Sequence, residues 1–352
     1  MSFARTLVVA SVVLFGAIIA AGILKKNQKK QQSLPNRQTE VVSLEVVQEP
    51  VYKEAIEPSA IESVIASMPS QSAEAVLPVA PQPLSTATEE EKDQIDRVNL
   101  LFNPYGPRLA IVQTIRYTPN VSWVKDRPAW IVDYASHYQT SKHFISRSLA
   151  GKKDYQYQEI NPGDRFNVLR TDVPVGFYLL VDVSRCKVRF YTYDSLKKEA
   201  VLLKTYDAQL GRRDEMSPSG CLTPLGVYRL GSRIAVYKPG MMGTFRKQKA
   251  EMVQIFGTRW VPFAEEVQGC TAPAKGYGLH GFCWVKDGDE WRETRESQSG
   301  YYSDGCIRLK QDDIEEIFSI IVTRPTIIEI CKQFDQAVFE IQEVEPVIVM
   351  NP

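Results

Sequence analysis

The 352-residue chain has no net charge, with 42 basic side chains against 42 acidic ones. A nucleic-acid binder that is basic over its whole surface is therefore not expected. A Gly-X-Y period, a sustained heptad and a series of long apolar runs are all missing, which excludes collagen, coiled coil and multi-span membrane protein. Closely spaced Cys pairs are missing too. His280-x-x-Cys283 is the only tight spacing of zinc-ligand type, so no metal site is expected. His137 and His143 lie in a stretch without an acidic or Cys cluster and read as ordinary surface residues. Residues 31–94 contain no glycine and one aromatic residue, Tyr52, among seven prolines. Such a segment cannot bury enough apolar surface to offset its ordering entropy.

What is present divides the chain into zones. Residues 1–30 hold five basic and no acidic side chains around an apolar run from Leu7 to Leu24, broken only by Ser11. Eighteen helical residues span about 27 Å, close to a bilayer's hydrocarbon core. The run reads as an anchor in the cytoplasmic membrane or as a signal sequence. Lys25, Lys26, Lys29 and Lys30 follow it and by charge alone favour a cytoplasmic position for what comes next. Residues 31–95 hold three basic and eleven acidic side chains and read as a disordered acidic linker, with a reach of about 45 Å as a flexible coil. With 44% hydrophobic and 24% charged residues overall, the remainder has the composition of ordinary globular structure.

Over 110–170 the pattern gives a strand, a short helix from Ile131 to Tyr138 and a second helix carrying His143, Phe144, Ile145 and Leu149. Thr140 and Ser141 can cap that second helix. A turn and strand follow at Ile160-Asn161-Pro162-Gly163-Asp164-Arg165-Phe166-Asn167-Val168. This arrangement loosely resembles the LysM module, which binds glycan chains of peptidoglycan or chitin. The module's usual Gly-Asp-Thr is missing, and Val121-Ser122-Trp123 stands near its place.

Residues 174–333 read as a β-rich unit. Gly176 to Val183 and Cys186 to Tyr193 form a hairpin, and Ala200 to Tyr206 and Thr326 to Cys331 are further strands. Asp313 to Val322 places Ile314, Ile317, Phe318 and Ile321 on one helical face, with Asp312 and Glu315 suggesting a capping box. Gly276-x-Gly278-x-x-Gly281 formally fits a dinucleotide fingerprint, but the following Phe282-Cys283-Trp284-Val285 continues as strand and not helix. The chemistry lies in Leu279-His280-Gly281 and Ser303-Asp304-Gly305-Cys306-Ile307-Arg308. A thiol attacks as thiolate, and an imidazole can take its proton and return it to a leaving amine. His280 is the only histidine in this half of the chain, hence the candidate base for Cys306. The Gly305 and Cys306 backbone N–H groups are candidate oxyanion donors.

These residues resemble the L,D-transpeptidases of the YkuD type, which carry His-Gly, a spacer, then Ser/Thr-His-Gly-Cys, an apolar residue and Arg or Asn. Thr223-Pro224-Leu225-Gly226, Arg308-Leu309 with Asp313, and Pro325-Thr326-Ile327-Ile328 match flanking parts of that pattern. The resemblance implies a mainly β fold with one marked helix and no cofactor. It implies a thioester enzyme on peptidoglycan stem peptides, with Cys306 as nucleophile and His280 as base and acid. The Gly281 carbonyl would orient His280, and Ser303, Asp304 and Arg308 would meet substrate. An L,D-carboxypeptidase and a non-catalytic peptidoglycan-binding protein are the alternatives. Two departures stand out. Asp304 replaces the family's second His and would raise the Cys306 pKa unless Arg308 or a protonated His280 compensates. The spacer from Gly281 to Ser303 holds 21 residues, longer than usual, with Trp284 and Trp291 within it.

A peptidoglycan substrate places the protein in the cell envelope, outside the cytoplasmic membrane, despite the lysines. With Cys306 free, Cys270–Cys283 or Cys221–Cys270 could pair in an oxidising compartment. The expected order is anchor or signal (1–30), linker (31–95), α+β LysM-like subdomain (110–170), catalytic domain (174–333) and tail (334–352).

Overall fold

A computed structural model of the chain describes residues 87–150, 160–195, 199–294, 298–322 and 324–338. The apolar run at 7–24 and the linker up to residue 86 lie outside the described residues. No helix among the described residues is long and apolar enough to cross a membrane.

The end of the acidic segment is ordered, contrary to the expected boundary at 95. Glu89–Asp93 forms helix α1, closed by a capping box in which Thr88 Oγ1 accepts from Glu91 N at 3.2 Å and Glu91 accepts from Thr88 N at 2.7 Å. Its acidic residues are held by charge: Glu89 pairs with Arg189 at 2.7 Å and Asp93 with Arg185. The Arg189 guanidinium also lies 4.0 Å from the Phe334 ring centroid, so the residues expected as a tail from 334 begin packed on the sheet.

Helix α2 (Asn99–Phe102) buries Leu101 and Phe102. Strand β1 (Val112–Arg116), helices α3 (Ile131–His137) and α4 (Lys142–Ala150) and strand β2 (Arg165–Leu169) follow. The two strands pair antiparallel from Val112↔Leu169 to Arg116↔Arg165. Strand–helix–helix–strand is thus the order of elements in this subdomain. Ser141 Oγ accepts from His143 N at 3.1 Å at the start of α4. Tyr134 is buried between Trp123 and Phe166, with ring centroids 5.0 and 5.2 Å away. The two early histidines are not plain surface groups. His137 stacks on Trp123 at 4.3 Å and His143 meets Phe318 edge-on at 5.3 Å.

The remaining elements are β3 (Val175–Asp182), β4 (Lys187–Asp194), β5 (Glu199–Asp207), β6 (Gln209–Gly211), β7 (Gly226–Leu230), β8 (Ala235–Val236), β9 (Met242–Phe245), β10 (Gln248–Glu251), α5 (Met252–Phe256), β11 (Arg259–Gln268), β12 (Gly278–Gly281), β13 (Trp284–Asp287), β14 (Glu290–Glu293), β15 (Gly300–Ser303), β16 (Ile307–Leu309), α6 (Gln311–Ile321) and β17 (Thr326–Cys331). One mixed sheet runs β15-β6-β16-β12-β11-β7-β17-β3-β4-β5, with β8 paired to β11. The fold is mainly β, as expected, with α5 as a second helix beside α6.

Strand β3 is buried along its whole length because both faces are covered. Phe177, Leu179 and Val181 point into the main core with Ile314, Ile317 and Phe318 of α6, whereas Tyr178 and Leu180 join a second cluster with Val227 and Ile327. Burying each such side chain contributes about 1.5–3 kcal/mol. The capping box expected for α6 is not formed. Lys310 is the N-cap with no side-chain bond, and the Glu293 carboxylate of β14 accepts from Gln311 N instead. Strand β12 also stops at Gly281, so Trp284 and Val285 belong to the separate hairpin β13–β14.

Glu316 of α6 ties the two parts of the chain together. It accepts from Lys204 Nζ and Tyr206 OH, each at 2.9 Å, and pairs with Arg147 of α4 at 3.4 Å.

Candidate active site

Cys306 stands at the end of a tight turn between β15 and β16. Gly305 has φ +124°, and a Cβ on it would lie 2.6 Å from Tyr277 Cε1 and 2.9 Å from the Leu222 oxygen. Only glycine fits there. Two fully buried hydroxyls pin the turn. Ser303 Oγ accepts from Gly305 N at 3.0 Å and donates to the Cys306 carbonyl at 2.6 Å. Thr223 Oγ1 donates to the Gly305 carbonyl at 3.0 Å and accepts from Gly211 N at 2.7 Å.

Two expectations change as a result. Ser303, expected against substrate, is inside the protein and shapes the turn. The Gly305 N–H, expected as an oxyanion donor, is engaged by that same hydroxyl. Thr223 was visible as part of a motif, but its hold on the Gly305–Cys306 turn was not.

His280 lies on β12, 3% exposed. Its Nδ1 is 2.8 Å from the Gly281 carbonyl oxygen. A carbonyl only accepts, so Nδ1 carries the proton of the neutral ring and Nε2 keeps its lone pair. The rings of Phe256 and Trp260 flank it at 5.4 and 5.8 Å. Burial pushes its pKa down to about 3, the Arg308 charge adds to this, and the Gly281 and Phe256 carbonyls oppose it.

The sheet brings His280 and Cys306 to one face. Strands β12 and β16 run parallel, with Leu279 opposite Ile307 and His280 opposite Arg308. Facing residues share a side of a sheet and side chains return to it every second position. Cys306, two before Arg308, therefore comes to the His280 side. It packs against the Met252–Phe256–Trp260 cluster whose rings flank His280. Cys306 Sγ lies 3.8 Å from the Gly276 carbonyl. Burial pushes its pKa up to about 11, Gly278 N–H and Arg308 pull it down, and Asp304 pushes it up. Both shifts favour the neutral forms, a protonated thiol at Cys306 and an uncharged ring at His280.

Asp304 does not stand uncompensated. Its Oδ1 pairs with Arg212 at 2.6 Å and its Oδ2 with Arg246 at 2.8 Å. Arg212 directly follows β6. Arg246 is at the tip of the β9–β10 hairpin, where Phe245 pairs with Gln248 and both turn residues, Arg246 and Lys247, have positive φ. That is the geometry of a type I′ turn, which normally selects Asn or Gly. Sequence reasoning looked to Arg308 or His280 for the compensating cation and missed both arginines. A two-residue turn without Asn-Gly leaves little signal. Arg308 itself has a buried Nε without a hydrogen-bond partner.

The lengthened spacer forms the hairpin β13–β14, and Glu293 fastens it to the start of α6. Burial pushes the Glu293 pKa up to about 7. All six cysteines are free thiols, so neither anticipated disulfide is formed.

Residues 176–330 match the family described as the L,D-transpeptidase catalytic domain, YkuD. The resemblance read from the motifs therefore holds over that span. No curated protein sequence matches the chain. Among solved structures, the helical cell shape determining protein Pgp2 from Campylobacter jejuni is similar at 18% identity and TM-score 0.31, covering 45% of this chain and 48% of that one. Bd1075 from Bdellovibrio bacteriovorus is similar at 16% identity and TM-score 0.29, with the same coverage. The chain thus spans about half the length of each. Residues 176–330 are thus similar to the L,D-transpeptidase catalytic domain of the YkuD type.

Proposed function

We propose that the protein is a cysteine-dependent L,D-transpeptidase of peptidoglycan stem peptides. The observation that carries this reading is the His280 Nδ1–Gly281 carbonyl bond, which leaves Nε2 as base on the face where Cys306 stands. Cys306 Sγ attacks the carbonyl carbon after the L-residue of a stem tetrapeptide, and its proton passes to His280 Nε2. The C–N bond breaks, His280 returns the proton to the leaving amine, and a terminal D-amino acid departs. The acyl group remains on sulfur as a thioester. An amine of a neighbouring stem attacks next, its proton passes through His280 to the sulfur, and a new amide forms. The N–H of Cys306, beside the occupied Gly305 N–H, is the oxyanion donor in this reading.

Peptidoglycan lies outside the cytoplasmic membrane, so the catalytic unit works in the envelope. In this reading residues 7–24 hold it at the membrane and the acidic segment is the tether. A reporter joined after residue 95 is active outside the cytoplasm if this is right, and cytoplasmic activity alone overturns it.

Incubation with purified stem tetrapeptides and mass analysis of the products tests the reaction. Cross-linked stems or D-amino-acid exchange support transfer to an amine. Tripeptide alone means that water is the acceptor and the enzyme is an L,D-carboxypeptidase. Binding without turnover, unchanged in Cys306→Ala, sinks the catalytic reading.

A further inference from the structure

Two guanidinium groups from separate elements converge on one carboxylate beside the nucleophile. Arg212 reaches Oδ1 of Asp304 at 2.6 Å and Arg246 reaches Oδ2 at 2.8 Å, so each oxygen has its own cation. This is a cradle with the dimensions of a carboxylate, and a side chain of the protein fills it. The pairing has two positive charges for one negative, so binding an anion there does not require an uncompensated charge. Asp304 is half exposed and the two arginines more so. Exposed ion pairs are weak because water screens them, so a competing carboxylate can take the place of Asp304. Arginine suits this role, because its planar fork matches carboxylate geometry.

The position of the cradle limits what it can read. Asp304 is two residues from Cys306, and two extended residues span at most about 7 Å. In a peptide whose carbonyl carbon is under attack at sulfur, the carboxylate of the departing residue lies about 4 Å from that carbon. If the departing segment had two residues, a neutral amide would stand there and the carboxylate would lie one residue farther out. A cradle so close to the nucleophile can therefore tell a one-residue leaving group from a longer one.

We infer that Arg212 and Arg246 recognise the C-terminal carboxylate of the departing residue, and that Asp304 occupies their site until substrate displaces it. This rests on the proposed reading of Cys306 as an acyl-transfer nucleophile and adds the residues that select the substrate's end. Arg246 also gives the β9–β10 hairpin a task. Strand β10 runs directly into α5, whose Phe256 packs against His280, so one element carries both a carboxylate contact and a wall of the base.

The experiment compares two synthetic stem tetrapeptides, one with a free C-terminus and one with a C-terminal amide. Release of the D-amino acid or its amide is followed by mass for the wild-type protein and for Arg212→Gln, Arg246→Gln, Arg246→Lys and Asp304→Asn. The readout is the ratio of kcat/KM for acid over amide, so a general loss of activity cancels. The wild type prefers the acid by about tenfold to a hundredfold, the range expected for hydrogen bonds to a charged group, with the difference in KM. Each Arg→Gln change lowers the ratio by about tenfold, Arg246→Lys restores part of it, and Asp304→Asn lowers KM for the acid. Equal use of acid and amide by the wild type, or a preference that survives in Arg212→Gln/Arg246→Gln, overturns the inference while leaving the acyl-transfer reading intact. If the wild type turns over neither peptide, the acyl-transfer reading itself fails.

Discussion

His280 Nδ1 stands 2.8 Å from the carbonyl oxygen of Gly281, the next residue in its own chain. In many base–nucleophile pairs a carboxylate orients the imidazole and stabilises its charged form. A neutral carbonyl sets the tautomer but adds no negative charge, and burial together with Arg308 favours the uncharged ring. His280 can then accept a proton only as the thiol gives one up during attack. His280→Gln keeps a polar side chain near the Gly281 carbonyl but removes the base. Acylation of Cys306 should slow by about 10²–10⁴-fold with little change in thermal midpoint. An unchanged rate would remove His280 from the mechanism.

Buried neutral histidine also makes the fold sensitive to acid. The unfolded chain titrates His280 near the ordinary value of 6.5, and the folded chain near 3. Between those values the unfolded state binds more protons, so stability falls as pH drops through this window. Above 6.5 the group has no further effect. Urea unfolding at pH 7, 5.5 and 4 should show a smaller decline for His280→Gln than for wild type. Parallel declines would assign the acid sensitivity to other groups.

The thiol should behave as a protonated one in the absence of substrate. With its pKa pushed up to about 11, alkylation of Cys306 by iodoacetamide should keep accelerating from pH 7 to 10. Peptide-resolved mass spectrometry separates Cys306 from the other five cysteines. A plateau near neutrality would reveal a preformed thiolate–imidazolium pair instead.

The turn that carries Cys306 depends on Ser303 and Thr223. Ser303→Ala leaves Gly305 N–H without its partner, and Thr223→Val does the same to Gly211 N–H and the Gly305 carbonyl. Leaving such buried groups unmatched costs about 1–3 kcal/mol each. Thermal unfolding should show that loss in both variants, with activity reduced because the turn loosens. A stable Thr223→Val variant would show that the turn holds its shape without this hydroxyl.

Much of the framework was legible because it is local. Alternation of Val188 and Phe190 with Lys187 and Arg189 marked β4, and the spacing of Ile314, Ile317, Phe318 and Ile321, all four buried, marked α6. The Gly-Cys turn and the lone late histidine pointed to the site. Its supports were not legible, because they come from far along the chain. Arg212 and Arg246 lie 92 and 58 residues from Asp304, and neither sits in a pattern that betrays its target. The start of α6 misled for a related reason. Asp312 and Glu315 suggested a local cap, but a carboxylate from the preceding hairpin, Glu293, takes the first N–H. Ser303 misled because the family resemblance implied contact with substrate, whereas its hydroxyl is turned inward and bridges Gly305 N and the Cys306 carbonyl.

The central claim is that Cys306 carries the acyl group. Acid quenching of the protein with a stem tetrapeptide in the absence of an acceptor amine, followed by intact and peptide-level mass analysis, tests it most directly. A tripeptide acyl adduct on Cys306, with one D-amino acid released per adduct and neither seen in Cys306→Ala, is the predicted result. Release of the D-amino acid without any adduct on Cys306, continuing in Cys306→Ala, would contradict the account.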